Sequence, residues 1–232
     1  MIREIVLDTE TTGMNPAEGD RMVEIGCIEL INHMPTGKHL QLYINPEREI
    51  SAEVIAVHGI TNEFVADKPT FEECYMEFID FIGKDSKLVI HNAEFDMKFL
   101  NYQLGKVGHP AISWSRVIDT LGMARKKFPG SPANLDALCR RFDIDNTERT
   151  YHGALLDSEL LAEVYLELIG GRQHGLGFSS QKGSSDSKKA QMVKANRKYR
   201  EPRSFEVSDK EKAAHAALLE KLDDPIWTKK TA

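Results

Sequence analysis

Residues 2–13 read Ile-Arg-Glu-Ile-Val-Leu-Asp-Thr-Glu-Thr-Thr-Gly, an apolar run that passes directly into two acids and ends at a glycine. The run from Ile2 to Asp8 predicts a buried β-strand. Side chains two positions apart on a strand point to the same face, so Asp8 and Glu10 can reach one point near the end of this strand. The ordinary alternative is a strand end with two solvated acids. It is disfavoured because the acids follow a buried run and have no basic residue beside them.

The segments that follow predict a mixed α/β domain. Met22–Leu30 and His39–Ile44 look like strands, and the turn-forming residues 32–37 between them indicate an antiparallel meander. Shorter strands are predicted at Lys87–His91 and Arg116–Asp119. Apolar spacing predicts helices at Ser51–Val57, Thr70–Ile82, Ala93–Val107, Leu121–Lys127, Asn134–Phe142 and Gly153–Ile169. Strands first, with strand–helix alternation afterwards, imply a five-stranded mixed sheet flanked by helices.

Two more acids and a histidine lie near the starts of predicted helices. Asp96 falls in a first turn, where the helix dipole favours negative charge, and simple stabilisation of that turn is the alternative. Asp157 lies among leucines, where a carboxylate is costly unless it is paired or bound to a metal. His152 stands at the entrance of the same helix, where the positive dipole end favours the neutral imidazole that a general base requires. The alternatives are a surface cap for His152 and a helix-face acid for Asp157.

Taken together, these segments predict four carboxylates and one histidine converging at one end of the sheet. Hard oxygen ligands select Mg²⁺ or Mn²⁺ rather than zinc. Two such ions about 4 Å apart can clamp a phosphate and activate a water molecule. The neutral histidine would take the proton of that water, so the pattern predicts phosphodiester hydrolysis.

The segments Asp8-x-Glu10, Asn92-x-x-Phe95-Asp96 and His152-x-x-x-x-Asp157 resemble, in order, the three motifs of the DEDDh exonucleases. Residues 1–170 are also similar to the proofreading members of that family, which work with bacterial replicative DNA polymerases. The resemblance implies a ribonuclease H-like fold and removal of nucleotides from DNA 3′ ends.

The same resemblance implies roles for individual residues. Asp8, Glu10 and Asp157 would hold two divalent cations and meet the substrate, Asp96 would complete the metal site, and His152 would be the general base. Glu53 and His58 match positions that contact the terminal nucleotide in the family. Without the family, these two would be a surface acid and a loop histidine.

Charge is distributed unevenly along the 232 residues. Residues 1–170 carry 16 basic and 28 acidic residues, whereas residues 171–232 carry 14 basic and 8 acidic residues. An acidic body is awkward for a DNA-binding protein, because phosphate contacts dominate affinity. It becomes reasonable if some carboxylates hold cations that meet the phosphate. We therefore expect weak DNA affinity for the isolated chain and delivery by a partner.

Other features narrow the class of protein. No apolar run approaches the roughly 18 residues of a membrane span, and no signal-peptide pattern is present, so we expect a cytoplasmic protein with no membrane partner. Cys27, Cys74 and Cys139 are odd in number and far apart, which argues against a disulfide framework or a zinc knuckle. We expect all three to be small buried hydrophobic residues.

The composition changes after residue 170 and indicates a flexible linker at 171–203. The resemblance implies an exonuclease domain at 1–170 and a polymerase-binding tail at 204–232. The linker is rich in Ser, Lys and Arg. Helical spacing returns at Ser208–Leu222, but one short helix is marginal in water, so we expect it to order on a partner. Trp227 is a candidate anchor for that contact.

The start of the linker contains Gln173, Leu176 and Phe178 in the spacing Gln-x-x-Leu-x-Phe. This spacing is similar to the short motif by which bacterial replication proteins bind the sliding clamp. The alternative is an ordinary glycine-rich linker.

Two other functions remain open at this point. The chain could be a DEDDh exoribonuclease or oligonucleotide scavenger, which would need neither a clamp motif nor a tethered tail. It could also be a non-catalytic adaptor between clamp and polymerase, although the retained acids argue against this.

Overall fold

The computed structural model describes residues 1–147, 149, 151–171 and 207–221. One five-stranded sheet organises the first compact unit of the chain. Its strands are β1 (Arg3–Thr11), β2 (Met22–Ile31), β3 (Met34–Tyr43), β4 (Lys87–Ile90) and β5 (Val117–Asp119). Their order across the sheet is β3-β2-β1-β4-β5. The β1–β2 and β2–β3 pairs are antiparallel, and the β1–β4 and β4–β5 pairs are parallel. The predicted five-stranded mixed sheet is confirmed.

The strands extend further than the apolar runs indicated. β1 continues to Thr11 because Thr9 and Glu10 still pair with β2, so both acids lie within the strand. The six-residue turn predicted at 32–37 is wrong. The chain turns in two residues, Asn32 and His33, whose φ angles of 49° and 67° are left-handed. Such a turn matches the twist of a β-hairpin and lets β3 begin at Met34.

Helices cover the sheet between and after the strands. Within the described residues they are α1 (Ala52–His58), α2 (Asn62–Val65), α3 (Phe71–Ile82), α4 (Ala93–Lys106), α5 (Thr120–Lys127), α6 (Leu135–Phe142) and α7 (Ala154–Ile169). All six helices predicted in this region are confirmed to within one residue at each end. The short α2 was not predicted, because one turn shows no apolar periodicity.

The two faces of β1 contact different helices, as the alternation of side chains along a strand requires. Ile5 and Leu7 belong to the larger core, which contains residues of α3 and α4. Val6 lies on the opposite face and packs in a second cluster with Leu161 and Tyr165 of α7. Asp8 and Glu10 share the parity of Val6, so they point towards the α7 side of the sheet. The fold therefore directs the first two acids towards the helix that carries Asp157.

The second compact unit contributes one described helix, α8 (Asp209–Leu219), inside the predicted Ser208–Leu222. Ser208 begins it with a reciprocal cap, in which its hydroxyl accepts from the Glu211 backbone and the Glu211 carboxylate accepts from the Ser208 backbone. None of the residues of α8 is buried. The predicted partner-binding residues Gln173, Leu176, Phe178 and Trp227 lie outside the described residues.

Two smaller predictions can be compared with the structure. Cys27, Cys74 and Cys139 are all buried and free, as predicted. No helix in the described part of the chain combines the length and the apolar character needed to cross a membrane.

Candidate active site

A cavity of about 510 Å³ lies where β1 and β4 end and α4 and α7 begin. Parallel β1 and β4 bring their carboxyl ends to the same edge of the sheet, and α4 follows β4 directly. The structure brings all five predicted catalytic residues to this cavity: Asp8, Glu10, Asp96, His152 and Asp157.

The start of α7 lies directly against β2 because β2 has a glycine at the contact. Gly26 pairs with Asp8 across the sheet. A Cβ atom on Gly26 would lie only 2.2 Å from the backbone carbon of Ala154, so only glycine allows this approach. Ser158 of α7 also donates a hydrogen bond of 3.1 Å to the Gly26 carbonyl. This contact sets the position of Asp157 relative to Asp8.

Glu24 connects the same two elements, and its role was not foreseen. It pairs with Glu10 across the β1–β2 ladder and is 2% exposed. Its Oε2 accepts a hydrogen bond of 3.0 Å from the Ala154 backbone, the first N–H of α7, where Gly153 offers no side chain as a cap. Gln41 donates to the other carboxylate oxygen at 2.8 Å. A carboxylate from β2 therefore caps the helix that carries Asp157.

Asp96 is held from two sides. Asn92 adopts a left-handed conformation (φ 61°, ψ 51°) and turns the chain sharply from β4 into α4, a backbone position that asparagine tolerates. One turn later Asp96 is 3% exposed, and its Oδ1 accepts from the Thr9 hydroxyl at 2.7 Å. The residue between Asp8 and Glu10 thus fixes the third acid of the site.

The carboxylates of the cavity destabilise one another's ionised forms. Burial raises the pKa of Glu10 to about 8, and the charges of Asp157 and Glu24 add to this effect. Burial raises the pKa of Asp96 to about 7, despite the opposing hydrogen bond from Thr9. Desolvation by the surrounding protein raises the pKa of Asp8 well above its ordinary value, and the negative charge of Asp96 is the second largest cause. Because the ionised forms of these acids are destabilised, a positive charge bound among them would be favourable.

Arg149 is the main functional residue that sequence reasoning missed. Its guanidinium engages both carboxylate oxygens of Asp157, at 2.5 and 2.6 Å, and is 8% exposed. A third nitrogen lies 2.8 Å from Oδ1 of Asp136, and Nη2 lies 3.0 Å from Nδ1 of His152. These contacts raise the pKa of Arg149 above its ordinary range, chiefly through the hydrogen bond with Asp157. Arg149 lies in a connecting segment shortly before His152, where a basic residue is ordinarily solvated, so its role was not visible in the sequence.

His152 lies beside the acids and remains accessible, with 49% of its side chain exposed. Its Nδ1 is 3.7 Å from Oδ2 of Asp157. Glu10, His152 and Asp157 each offer a ligand atom within 4.8 Å of the other two. The backbone of His152 donates to the carbonyl of Val57 at 3.0 Å, which connects the loop before α7 to α1.

The predicted nucleotide-contacting residues lie at the two ends of α1. His58 is 5% exposed, and its Nδ1 accepts from the Ile60 backbone at 3.0 Å. Its Nε2 is buried and makes no hydrogen bond of standard geometry among the described residues. Burial lowers the pKa of the ring, and the nearby Thr11 backbone partly opposes this effect. Glu53 is exposed, and its pKa is lowered by hydrogen bonds from its own backbone and from Ser51. The chain therefore presents a neutral N–H donor and an ionised acceptor on one short helix.

Known proteins share this fold. The RNase_T family model, described as Exonuclease, matches residues 5–165. The nuclease domain of 3′hExo, a DEDDh family member solved with bound rAMP, has the same fold, with a TM-score of 0.62 at 22% identity. The match covers 72% of this chain and 91% of that chain. Fold and site together define an exonuclease with the ribonuclease H-like architecture of the DEDDh enzymes, as predicted.

Proteins named DNA polymerase III subunit epsilon are similar over most of the sequence. The protein from Rickettsia felis is 55% identical over 175 residues, which cover 74% of this chain and 76% of the relative. That from Escherichia coli (strain K12) is 43% identical over 226 residues, which cover 94% and 92%. The chain belongs to the family of DNA polymerase III epsilon subunits. It is an enzyme, a 3′→5′ exonuclease of the proofreading kind.

Proposed function

We propose that this exonuclease removes mismatched nucleotides from DNA 3′ ends within the core of the bacterial replicative polymerase, DNA polymerase III. The observation that carries the proposal is that the acids of three separate motifs line one cavity together with His152. The names of the relatives support the DNA substrate and the polymerase partner. This role would place the protein in the cytoplasm, with the bacterial chromosome.

The residues of the cavity fit divalent cations. Several acids are buried close together, and burial raises the pKa values of Glu10 and Asp96, so that a bound cation would stabilise their ionised forms. In the proposal Asp8, Glu10 and Asp157 hold two ions, with Asp96 completing the site, and oxygen donors favour Mg²⁺ or Mn²⁺. When bound, the ions would supply electrostatic stabilisation of the phosphate and lower the pKa of a bound water.

His152 is assigned as the general base. Its ring is accessible from the cavity, so it can approach a water molecule next to the phosphate. A guanidinium group only donates hydrogen bonds, so the contact of Arg149 with Nδ1 requires a lone pair on that nitrogen. A ring that keeps a lone pair can accept a proton, as a general base must. The same ring also lies within reach of Glu10 and Asp157, so a metal ligand is the alternative role for His152.

Glu53 and His58 are assigned to the terminal nucleotide. The unpartnered Nε2 of His58 offers a donor, and the ionised Glu53 offers an acceptor. The backbone hydrogen bond between His152 and Val57 connects α1 to the loop that carries the proposed general base. A nucleotide held by α1 would therefore lie next to the proton acceptor.

Contacts with partners are assigned to the C-terminal region. We infer that residues 171–203 act as a linker, that Gln173, Leu176 and Phe178 bind the sliding clamp, and that residues 204–232 bind the alpha subunit of the polymerase with Trp227 as an anchor. The uncovered helix α8 supports a docking role for this tail. Residues 171–232 carry a net positive charge, whereas residues 1–170 carry a net negative charge.

The enzymatic part is tested with the purified chain on two labelled substrates, a DNA primer with a mismatched 3′ end and a short RNA. The proposal predicts stepwise release of nucleotides from DNA that depends on Mg²⁺ or Mn²⁺. Asp8→Ala serves as the inactive control. A clear preference for RNA would instead support the scavenger, and no hydrolysis of either substrate would support the adaptor.

The partner assignment is tested by pull-down with the alpha subunit and, separately, with the clamp. Removing residues 171–232 should leave hydrolysis of free DNA unchanged and abolish capture by alpha. Replacing both Leu176 and Phe178 by alanine should reduce capture by the clamp alone. Full capture of the truncated chain by alpha would contradict the assignment of the tail.

A further inference from the structure

Arg149 occupies the oxygens that the proposed function assigns to a metal ion. The guanidinium faces both oxygens of Asp157 in a paired, fork-like contact at 2.5 and 2.6 Å. Asp157 is 4% exposed and Arg149 is 8% exposed at the side chain, so the pair is shielded from bulk water. A fork-like contact directs two N–H groups at the carboxylate and uses the lone pairs that a cation would need.

The charges around the cavity explain why the guanidinium of Arg149 lies next to Asp157. Asp8, Glu10 and Asp96 line the same cavity, and the charges of Asp96, Glu10 and Asp157 all raise the cost of ionising Asp8. Arg149 is the only arginine or lysine among the described residues that line this cavity. Its charge opposes the pKa rise at both Asp8 and Glu10. The guanidinium thus supplies part of the positive charge that two divalent ions would supply.

We propose that Arg149 is a displaceable stand-in for a divalent cation, so that the guanidinium and the ion alternate at Asp157. The proposal rests on the assignment of Asp157 as a metal ligand. A metal ion and a guanidinium a few ångströms apart repel strongly in a partly buried site. Loading of the ion therefore requires Arg149 to leave Asp157, and loss of the ion allows it to return.

The structure offers Arg149 a second partner when it leaves. Asp136, at the start of α6, already holds Nη1 of Arg149 at 2.8 Å and is 40% exposed at its side chain. Asn146 donates to the same carboxylate at 3.1 Å, which fixes its orientation. Asp136 can therefore keep Arg149 at the wall of the cavity while the other nitrogens release Asp157. Arg149 also frees Nδ1 of His152 in the same movement, because one nitrogen, Nη2, contacts both residues.

The experiment measures Mn²⁺ binding to the full chain by calorimetry and by the loss of the free-ion electron paramagnetic resonance signal. Arg149→Gln removes the competing charge, and we expect it to bind Mn²⁺ about tenfold more tightly than the wild type or more, given the repulsion of a neighbouring charge. Arg141→Gln is the matched control. It makes the same charge change on α6, where the guanidinium lies over Phe128, 4.4 Å from the ring centroid, and it should leave the affinity unchanged.

Thermal unfolding supplies a second measurement that does not depend on activity. Arg149→Gln should melt below the wild type in EDTA, because Asp157 loses its partner, and the difference should shrink or reverse at saturating Mn²⁺. Arg149→Lys keeps the charge but cannot engage both oxygens, so its Mn²⁺ affinity should lie between those of the wild type and the glutamine variant.

The outcomes separate this inference from the proposed function. If wild-type protein binds no Mn²⁺, or if Asp157→Asn binds it normally, the metal assignment of Asp157 fails. If the wild type binds Mn²⁺ through Asp157 but neither Arg149 variant binds it more tightly, the stand-in is refuted and the metal site stands.

Discussion

The two ends of β1 both bury carboxylates, but the carboxylates have different partners at the two ends. At the first end, Glu4 is 1% exposed, accepts a 2.6 Å hydrogen bond from the Tyr165 hydroxyl and lies 2.8 Å from Nδ1 of His33. On the neighbouring strand, Glu29 faces Arg3 at 2.7 Å. Burial alone would raise the pKa of Glu29, but hydrogen bonds from Arg3 and Thr36 outweigh it and leave the pKa lowered.

At the other end of the strand, the charges of Asp96, Glu10 and Asp157 raise the pKa of Asp8, and the only guanidinium that lines the cavity in the described part of the chain, Arg149, faces Asp157. A buried charge without a partner is costly, so a fold that keeps several acids together is stabilised either by protonation of those acids or by positive charge bound from outside. We call the region of Glu4 and Glu29 the paired end of β1. We call the region of Asp8, Glu10, Asp96 and Asp157 the open end. Four predictions test this distinction.

The largest expected effect is on activity at the open end. Asp8→Asn should reduce metal-dependent hydrolysis by about 10³-fold or more, the scale seen when one member of a catalytic unit is lost. Its melting temperature in EDTA should stay the same or rise, because one of several mutually repelling acids becomes neutral. Steady-state kinetics and thermal unfolding measure the two quantities. Near-normal turnover would remove Asp8 from the proposed machinery.

The next effect concerns the general base. His152→Ala should lower kcat by roughly 10²–10⁴-fold, the range for loss of general acid–base catalysis. Mn²⁺ affinity should remain close to that of the wild type. If the affinity falls in proportion to the rate, His152 is a metal ligand instead, as its distance to Glu10 and Asp157 would allow. His215→Ala, on the uncovered helix α8, is the control for the loss of a histidine.

The paired end should respond in stability and not in activity. Glu4→Ala leaves the hydroxyl of buried Tyr165 without its acceptor, which should cost about 1–3 kcal/mol of unfolding free energy. Tyr165→Phe removes the donor and is the partner variant for a double-mutant cycle. Both should keep kcat within about twofold, because the pair lies at the far end of β1. A large loss of kcat in well-folded protein would break the distinction between the two ends.

The smallest expected effect is an opposite pH dependence at the two ends. Glu10, with a pKa of about 8, and Asp96, with a pKa of about 7, hold protons in the folded protein that the unfolded chain has already released. In EDTA, stability should therefore fall as pH rises from about 5 to about 8. Glu10→Gln should flatten this dependence of stability on pH. The variant leaves unchanged the other charged groups near Glu10 and Asp96, namely Asp8, Asp157, Glu24 and Arg149.

The lowered pKa of Glu29 has the reverse sign. Its contribution is present at neutral pH and is lost as pH falls below the ordinary range of a glutamate. Glu29→Gln should therefore reduce the acid-side loss of stability and leave the slope between pH 5 and 8 intact, a range set by the other end. Thermal unfolding across pH measures both. Equal slopes in the wild type and in Glu10→Gln would contradict the open end as described.

The sequence predicted most of the fold because its elements are marked locally. Apolar periodicity placed the helices, and Asp8 and Glu10 were predicted to share a face by strand alternation alone. The order of the strands was not predictable in the same way, because it depends on contacts between segments far apart in the chain. The hairpin turn at Asn32 was misjudged because polar residues continued past it into β3.

The carboxylates and the histidine of the candidate site were predicted, but the hydrogen bonds that position them were not. Arg149, Glu24 and Thr9 act through contacts that only the fold creates, with Asp157, the start of α7 and Asp96 respectively. One signal was available for Glu24 and Thr9, since both are polar residues within apolar strands. Arg149 carried no comparable signal, because a basic residue in a connecting segment is ordinarily solvated.

In this account the open end of β1 holds two divalent cations, and Arg149 supplies only part of their positive charge when they are absent. The most direct measurement is anomalous diffraction from crystals of the full chain grown with Mn²⁺. The account predicts two anomalous peaks, about 4 Å apart, among Asp8, Glu10, Asp96 and Asp157. A cavity without an anomalous peak in crystals of active protein, or a Mn²⁺ ion bound only at the paired end, would contradict it.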